Sequence, residues 1–156
     1  MIENALRKTS GNCLNLVMNE ESLQLHTYLC PSGILTIGYG HTGPDVHPGM
    51  TITKQEAITL LVKDIGKAEN IVKAFVTVPL TQGQFDSLVD LAFNIGIGNF
   101  KDSTLVSQLN KGLYNSVPAQ LRRWVRGSKI DPKTKQKEIL PGLVIRREKD
   151  VEMWNG

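Results

Sequence analysis

Glu21, Cys30 and Thr36 are the residues of this chain whose types and spacing could perform chemistry. Cys30 lies nine positions after Glu21, and Thr36 lies six positions after Cys30. A glycine-rich turn over 38–42 follows and contains His41. A carboxylic acid can protonate a leaving oxygen, while a second polar group aims a water molecule at the carbon. Hydrolysis of a glycosidic bond needs this division of labour, so the spacing predicts acid–base hydrolysis of a sugar substrate.

The segment over 21–42 resembles the phage-type lysozymes (endolysins), glycoside hydrolase family 24. The family pattern is a Glu, eight residues, an Asp or sometimes a Cys, five residues, a Thr, and then a turn similar to Gly-Tyr-Gly-His-Thr. Two later segments also resemble the family: FNIGIGNFKDSTL over 93–105 and LPGLVIRREKDVEMW over 140–154. The three blocks stand in the family's order, and the resemblance covers nearly the whole chain.

The resemblance implies that Glu21 is the general acid and that Cys30 and Thr36 position or activate water. Glu21 is also predicted to end a helix, where the helix dipole disfavours a carboxylate and favours the protonated acid. Cys30 departs from the commoner Asp, and a thiol near its ordinary pKa of about 8.5 is a weak base. Without the motif, Cys30 would be a small buried apolar residue and Thr36 an ordinary strand residue.

Four further residues are expected to bind or support the substrate. His41 is expected to support its turn by hydrogen bonding rather than to perform chemistry, and Tyr39 to line the substrate cleft. Asn94 either helps to form the cleft floor or ends a helix before a glycine. The resemblance implies that Arg146 or Arg147, with Arg146 preferred, forms an ion pair near Glu21; the alternative is that both are ordinary surface charges on the last helix.

Length and composition indicate one soluble globular domain. The chain has 156 residues, of which 40% are hydrophobic and 21% charged, enough for a core without staples. We expect no membrane span, because no apolar run approaches about 20 residues, and no secretory signal at the N-terminus. Two cysteines do not make a disulfide framework. We expect both thiols, Cys13 and Cys30, to be free and not to form a redox switch with each other.

The charge of the chain is unevenly distributed. Residues 1–100 carry 6 basic and 9 acidic side chains, whereas residues 101–156 carry 12 and 6. The basic segment is either an ordinary solvated surface or a face that attracts an acidic cell wall. Nucleic acid is a weaker interpretation, because aromatic residues are not interleaved with the charges.

Helix-start signals divide the chain into elements. A first helix is predicted from Ser10 to Glu21, and short antiparallel strands over 25–43 precede a loop over 43–50. Capping boxes predict two long helices after Thr53 and Thr81. Further predictions are a short helix from Ser103 to near Gly112, a helix with Pro118 in its first turn, a surface loop over 126–141, and a final helix from Pro141 to Trp154.

These elements predict an α+β fold of lysozyme-like architecture in a single domain, 1–156. A small β-bearing lobe is expected at about 22–55, a connecting helix at about 56–74, and a larger helical lobe from 1–21 and 75–156. A linear polymer would lie in the cleft between the lobes.

The residues leave rival functions open. His41, Asp45 and His47 with Cys30 nearby are zinc-binding types, which would favour a zinc amidase or peptidase, although no H-E-x-x-H helix is present. A wall-binding module without catalysis is a second alternative. A chitinase-like or transglycosylase activity is a variant on the same scaffold.

The resemblance implies a bacteriolytic muramidase that cuts the β-1,4 bond between N-acetylmuramic acid and N-acetylglucosamine in peptidoglycan. We expect no cofactor and no metal, and we expect a monomer that does not bind nucleic acid. Synthesis in the host cytoplasm is expected, followed by action on the cell wall once a holin or another permeabiliser opens the membrane.

Overall fold

A computed structural model describes residues 4–156 of the chain. They form two compact units, one spanning Gly11–Lys67 and the other combining the residues up to Ser10 with Ala68–Gly156. Helices dominate, and each of the two small sheets has two antiparallel strands. The predicted α+β fold class is therefore confirmed. The first three residues of the expected helical lobe lie outside the described residues.

The unit Gly11–Lys67 contains helix α1 (Gly11–Glu20), strands β1 (Gln24–Leu29) and β2 (Leu35–Gly38), and the first part of helix α2 (Lys54–Phe75). The two strands are antiparallel, as the Gly-rich pattern predicted, and their register sets Tyr28 opposite Thr36. A loop follows, with a bridge from His26 to Thr51. The most deeply buried apolar side chains of this unit are Cys13, Val17, Ile37, Ala57 and Leu61.

Both predicted capping boxes are present. At α2, Thr53 Oγ1 accepts from the Glu56 backbone N–H at 3.1 Å, and the Glu56 side chain accepts from the Thr53 N–H at 3.2 Å. At α3 (Gln82–Lys101), Thr81 and Gln84 make the same reciprocal pair. Each box satisfies two backbone donors that the first helical turn leaves without partners, so the sequence marks both helix starts.

The larger unit, which combines the residues up to Ser10 with Ala68–Gly156, is built around α3. The residues of α3 from Phe85 to Ala92 are all buried. Gly96 interrupts this helix with φ 84° and ψ 169°. Helices α4 (Thr104–Asn110), α5 (Val117–Leu121) and α6 (Pro141–Asn155) follow, and α6 packs against α3. A Cβ atom on Gly83 would collide with the backbone carbonyl of Met153, so the glycine allows the start of α3 to approach the end of α6.

The predicted surface loop over 126–141 is wrong. The chain there forms a hairpin of β3 (Arg126–Ile130) and β4 (Lys137–Ile139) with an irregular register. Lys135 at φ 59° lies in the turn, where the Lys135 N–H donates to Asp131 O at 2.9 Å. Both strands are largely exposed and carry basic residues, so they lack the alternating apolar pattern by which strands are recognised.

Membrane-crossing character is absent from the described helices. No helix within residues 4–156 combines the length and the apolar composition that a membrane crossing demands.

Candidate active site

Glu21 directly follows α1, and its backbone N–H still donates to Val17 O at 2.9 Å. Its side chain is half-buried and reaches the turn after β2. A Cβ atom on Gly40 would lie 3.1 Å from Glu21 Oε2. Gly40 has φ 78°, a conformation that glycine adopts readily. The turn glycine therefore provides both the backbone conformation and the space for the carboxylate.

Cys30 and Thr36 lie on either side of the turn between β1 and β2. The Cys30 N–H donates to Ile34 O at 3.0 Å, and the Gly33 N–H donates to Cys30 O at 2.8 Å. Thr36 is buried, and its hydroxyl donates to Ile34 O at 2.9 Å. The hairpin thus fixes the backbone of Cys30 and the hydroxyl group of Thr36, the two residues to which the resemblance assigns water positioning.

The thiol of Cys30 is unusually acidic. Hydrogen bonding by the Ser32 side chain, and then by the Ile34 backbone, lowers its pKa to about 7, and burial opposes this only in part. Ser32 Oγ lies 2.9 Å from Cys30 Sγ. A large fraction of this sulfur is therefore thiolate at neutral pH, which removes the weakness expected for an ordinary cysteine base.

The pKa of Tyr28 is affected by both candidate catalytic groups, Glu21 and Cys30. Burial raises the pKa of Tyr28, and the negative charges of Glu21 and of Cys30 raise it further. Tyr28 stands opposite Thr36 in the β1–β2 pair. Glu21 and Cys30 are therefore near enough to Tyr28 for their charges to act on it, and Thr36 lies on the neighbouring strand.

His41 is a buried support residue. Its Nδ1 lies 2.7 Å from Asp64 Oδ2, and its Nε2 lies 2.9 Å from Asp45 Oδ2. Burial alone lowers the pKa of His41, but hydrogen bonds to Asp64 and Asp45 outweigh it and raise the pKa above 6.5. His41 also exchanges two backbone hydrogen bonds with Ile37. Its contacts are those of a residue that ties the glycine turn to α2.

The zinc alternative has no matching geometry. Both ring nitrogens of His41 contact carboxylates, and His47 is exposed. Within the described part of the chain, no three His, Cys, Asp or Glu side chains gather into a possible metal site. Neither Cys13 nor Cys30 forms a disulfide bond, and Cys13 is fully buried.

Tyr39 lies in the core of the smaller unit, 5% exposed. Its role in the cleft wall remains a prediction. Asn94, in the larger unit, lies two residues before the break at Gly96 and lines a cavity of about 430 Å³ together with Arg123 and Trp124. Its role in substrate binding also remains a prediction.

Arg146 is buried in the larger unit and forms a bidentate pair with Asp90. The distance from its Nη2 to Asp90 Oδ1 is 2.7 Å. Burial opposes ionisation of Asp90, but the Arg146 guanidinium holds the pKa of that carboxyl below its ordinary value. Asp150 behaves oppositely: burial, and then the charge of Asp90, raise its pKa well above the ordinary value. The expected pairing of Arg146 with Glu21 stays a prediction.

Sequence reasoning missed Ser32, Asp64 and Asp90. Ser32 had a visible signal, because a Pro-Ser-Gly turn directly follows Cys30. Asp90 had one too, since an acidic residue inside the apolar run of α3 needs a buried partner. Asp64 had none, because only the folded chain places this α2 residue beside His41.

Comparison with known proteins shows the family of the chain. The sequence model of the family described as Phage lysozyme matches residues 18–150. The endolysin of Acyrthosiphon pisum secondary endosymbiont phage 1 is 37% identical over 90% of this chain and 93% of that protein. The endolysin of Bacillus phage PZA is 35% identical over 91% of this chain, which spans only 53% of that longer protein.

A solved structure shows that the likeness extends to the fold. The muramidase domain of SpmX from Asticaccaulis excentricus superposes with a TM-score of 0.86 at 30% identity, covering 96% of this chain and 99% of that one.

Proposed function

Because the chain belongs to the phage lysozyme family and is a lysozyme-type enzyme, we propose that it hydrolyses the β-1,4 bond between N-acetylmuramic acid and N-acetylglucosamine in bacterial peptidoglycan. The observation that carries this proposal is the gathering of Glu21, Cys30 and Thr36 around the β1–β2 hairpin and the Gly40 turn. These groups supply an acid and a water-activating pair, the two roles that glycoside hydrolysis requires.

Glu21 is the proposed general acid. Its carboxyl group packs against the Gly40 turn, and the residue directly follows the end of α1. It donates its proton to the glycosidic oxygen as the bond to the anomeric carbon breaks. General acid catalysis of this kind contributes about 10²–10⁴ in rate.

Cys30 and Thr36 are the proposed water site. The single hydroxyl hydrogen of Thr36 goes to Ile34 O, so Thr36 Oγ1 can accept a hydrogen bond from the attacking water. The Cys30 thiolate takes the proton that the water loses. Attack by water in a single displacement inverts the configuration of the anomeric carbon, so anomeric analysis of fresh products is a direct measurement of this mechanism.

The chemical identity of the products tests the proposed bond. Purified peptidoglycan should release new reducing sugar ends, located at N-acetylmuramic acid by mass spectrometry. New amino groups without reducing ends would mean an amidase or peptidase. Anhydro sugar ends would mean a transglycosylase, and binding without products would mean a wall-binding module.

Glu21→Gln tests the assigned acid, because the amide keeps the shape of the side chain and removes its proton. We expect turnover to fall at least about 10²-fold, with an unchanged circular dichroism spectrum. Glu20→Gln, one residue earlier and on α1, is the matched control and should keep its activity. Retention of more than about a tenth of the activity in Glu21→Gln would refute the assignment.

The biological role proposed with this activity is host lysis by a monomer acting on the wall after a holin or another permeabiliser opens the membrane. Expression in a bacterial host with and without a coexpressed holin tests it. Lysis that depends on the holin supports this role, whereas rapid lysis without one contradicts it.

A further inference from the structure

The turn between β1 and β2 places a hydroxyl group directly on the sulfur of Cys30. Ser32 Oγ lies 2.9 Å from Cys30 Sγ. The turn is closed by the two backbone hydrogen bonds that join Cys30 to Gly33 and to Ile34. Gly33 has φ 81°, a left-handed conformation suited to glycine. Backbone geometry therefore fixes the position from which the Ser32 side chain reaches the sulfur.

Of the two nearby hydroxyl groups, that of Ser32 acts more strongly on the sulfur, and that of Thr36 has the smallest effect of the groups that lower the Cys30 pKa. Thr36 gives its single hydroxyl hydrogen to Ile34 O at 2.9 Å. The Ser32 hydroxyl contacts Cys30 Sγ. A thiolate is the stronger acceptor, because hydrogen bonds to an ionised partner are stronger than neutral ones. Ser32 as donor and the sulfur as acceptor is therefore the favoured arrangement.

We propose that Ser32 is a positioning residue whose hydroxyl donates a hydrogen bond to Cys30 Sγ and holds the sulfur as the thiolate that receives a proton from the attacking water. The inference rests on the proposed function, in which Cys30 is the base. It adds a residue outside the Glu-Cys-Thr motif to the catalytic arrangement, and it explains how a cysteine can serve where an aspartate is commoner.

The proton balance of the step is complete. The Cys30 thiolate takes one proton from water, and the water oxygen bonds to the anomeric carbon. The bond from that carbon to the glycosidic oxygen breaks, its electron pair stays on the oxygen, and Glu21 supplies the proton. Cys30 ends as a thiol and Glu21 as a carboxylate. Transfer of one proton from the thiol to the carboxylate through solvent restores the starting state.

Hydrogen bonding dominates the electrostatics at this sulfur. Tyr28 on β1 and Glu21 after α1 are the titratable groups that share this region with Cys30. The influences that lower the Cys30 pKa come from Ser32, Ile34 and Thr36, with Ser32 first, and none comes from a cation. Removing one hydroxyl group should therefore have a measurable effect on the ionisation of the thiol.

Alkylation of the resting protein tests the hydrogen bond without any substrate. The rate of iodoacetamide addition to Cys30 is measured against pH, with peptide mass mapping to separate it from the buried Cys13. The wild-type midpoint is expected at about 7. In Ser32→Ala the midpoint should rise by about one pH unit, so that the rate at pH 6 falls about tenfold. Ser32→Thr keeps the hydroxyl and should restore the wild-type midpoint.

The controls separate this effect from a general one. Ser32 is exposed, so Ser32→Ala should not disturb the fold. Ser107→Ala removes an exposed hydroxyl on α4 and should leave the midpoint and the activity unchanged. An unchanged midpoint in Ser32→Ala would overturn the proposal while leaving the products and the Glu21 test of the proposed function untouched.

Activity profiles connect the hydrogen bond to catalysis. In Ser32→Ala the turnover at pH 6 should fall by about the same factor as the alkylation rate, because both depend on the thiolate. In a Cys30→Asp background the same substitution should leave the profile near neutral pH in place, because an aspartate with an ordinary pKa of about 3.9 is ionised there without help. An alkylation midpoint that moves while the activity profile does not would overturn the catalytic role of Ser32.

Discussion

At the scale of single residues, the difference between a thiol and a carboxyl group decides how the proposed base works. A carboxylate is ionised at neutral pH without help, whereas a thiol needs hydrogen bonds to reach that state. Cys30 receives them from Ser32 and from the turn backbone, which bring its pKa to about 7. The ionisation of the base should therefore be the feature by which this site differs from one with an aspartate.

Substitution at Cys30 should reveal this difference in the pH profile. The thiolate on which wild-type activity depends gains a proton as the pH drops below about 7. Cys30→Asp should remain active and should exceed the wild type at pH 5.5, where a carboxylate is still ionised. Cys30→Ala should lose most turnover at every pH. If the Asp and Ala variants are equally inactive, Cys30 serves packing rather than chemistry.

His41 should make the stability of the protein depend on pH. Its pKa is raised in the folded state by Asp64 and Asp45 against the effect of burial, so the folded protein binds this proton more tightly than the unfolded chain. The stabilisation is complete below the unfolded pKa of about 6.5 and is lost as the pH rises through the folded value.

Urea unfolding of His41→Asn from pH 5 to 9 measures this contribution. At pH 6 we expect the free energy of unfolding to fall by about 1.5–3 kcal/mol, the range for hydrogen bonds to charged groups, with a smaller loss at high pH. His47→Asn replaces an exposed histidine and should have little effect. A loss that is constant over this pH range would contradict the ionic role of His41.

The sequence contains the motif residues of the site but not the residues that support them. Glu21, Cys30 and Thr36 are recognisable because their spacing is local and the turn after them is marked by glycines. Asp64 supports His41 from α2, 23 residues away, and no local pattern encodes such a pairing. Partners that tertiary packing selects therefore appear only in the folded chain.

At the scale of elements, the start of α3 and the end of α6 approach each other at a glycine. A Cβ atom on Gly83 would overlap the Met153 carbonyl, a backbone group that α6 cannot move without shifting. Gly83→Ala should therefore lower the free energy of unfolding by about 1–3 kcal/mol, as overpacking does. The midpoint of urea unfolding is the measurement.

Gly98→Ala is the matched control on the same helix. Nothing lies within 4 Å of a Cβ atom at that position, so the alanine should stabilise the protein by about 0.4–1 kcal/mol through the unfolded chain. Two variants of similar stability would show that the contact between Gly83 and α6 does not limit packing.

Helices and strands differ in how well the sequence predicts them here. The helix starts carry Thr-x-x-Glu and Thr-x-x-Gln boxes that work locally, so they are predictable. The β3–β4 hairpin carries exposed lysines and no apolar alternation, so its sequence is that of a loop. These residues form strands because they pair with each other, not because one face of the hairpin is buried. A single sequence does not show this pairing as a pattern.

At the scale of the whole molecule, the charge asymmetry coincides with surface features of the larger unit. Lys133, Lys135 and Lys137 are exposed around the β3–β4 hairpin. Arg122, Arg123 and Arg126 line a cavity of about 980 Å³ with Trp124. Arg122 is paired with Glu148 at 2.9 Å, which offsets part of its charge. The lysines of the hairpin are therefore the best place to test attraction to an anionic wall.

Salt should weaken the action of the protein on whole cell walls more than on short oligosaccharides. The basic segment attracts an anionic polymer at long range, and ions screen this attraction over about 8 Å at physiological ionic strength. A short neutral oligosaccharide carries no charge that the basic segment could attract. Lys133→Glu with Lys135→Glu should lower the rate on walls severalfold at low salt, flatten its salt dependence, and leave oligosaccharide turnover unchanged.

Lys8→Glu with Lys54→Glu makes the same change in net charge at exposed positions of the acidic segment, and should have a much smaller effect. Equal losses for the two double variants would mean that net charge alone governs the rate, and an equal salt dependence for both substrates would rule out a basic wall-docking face.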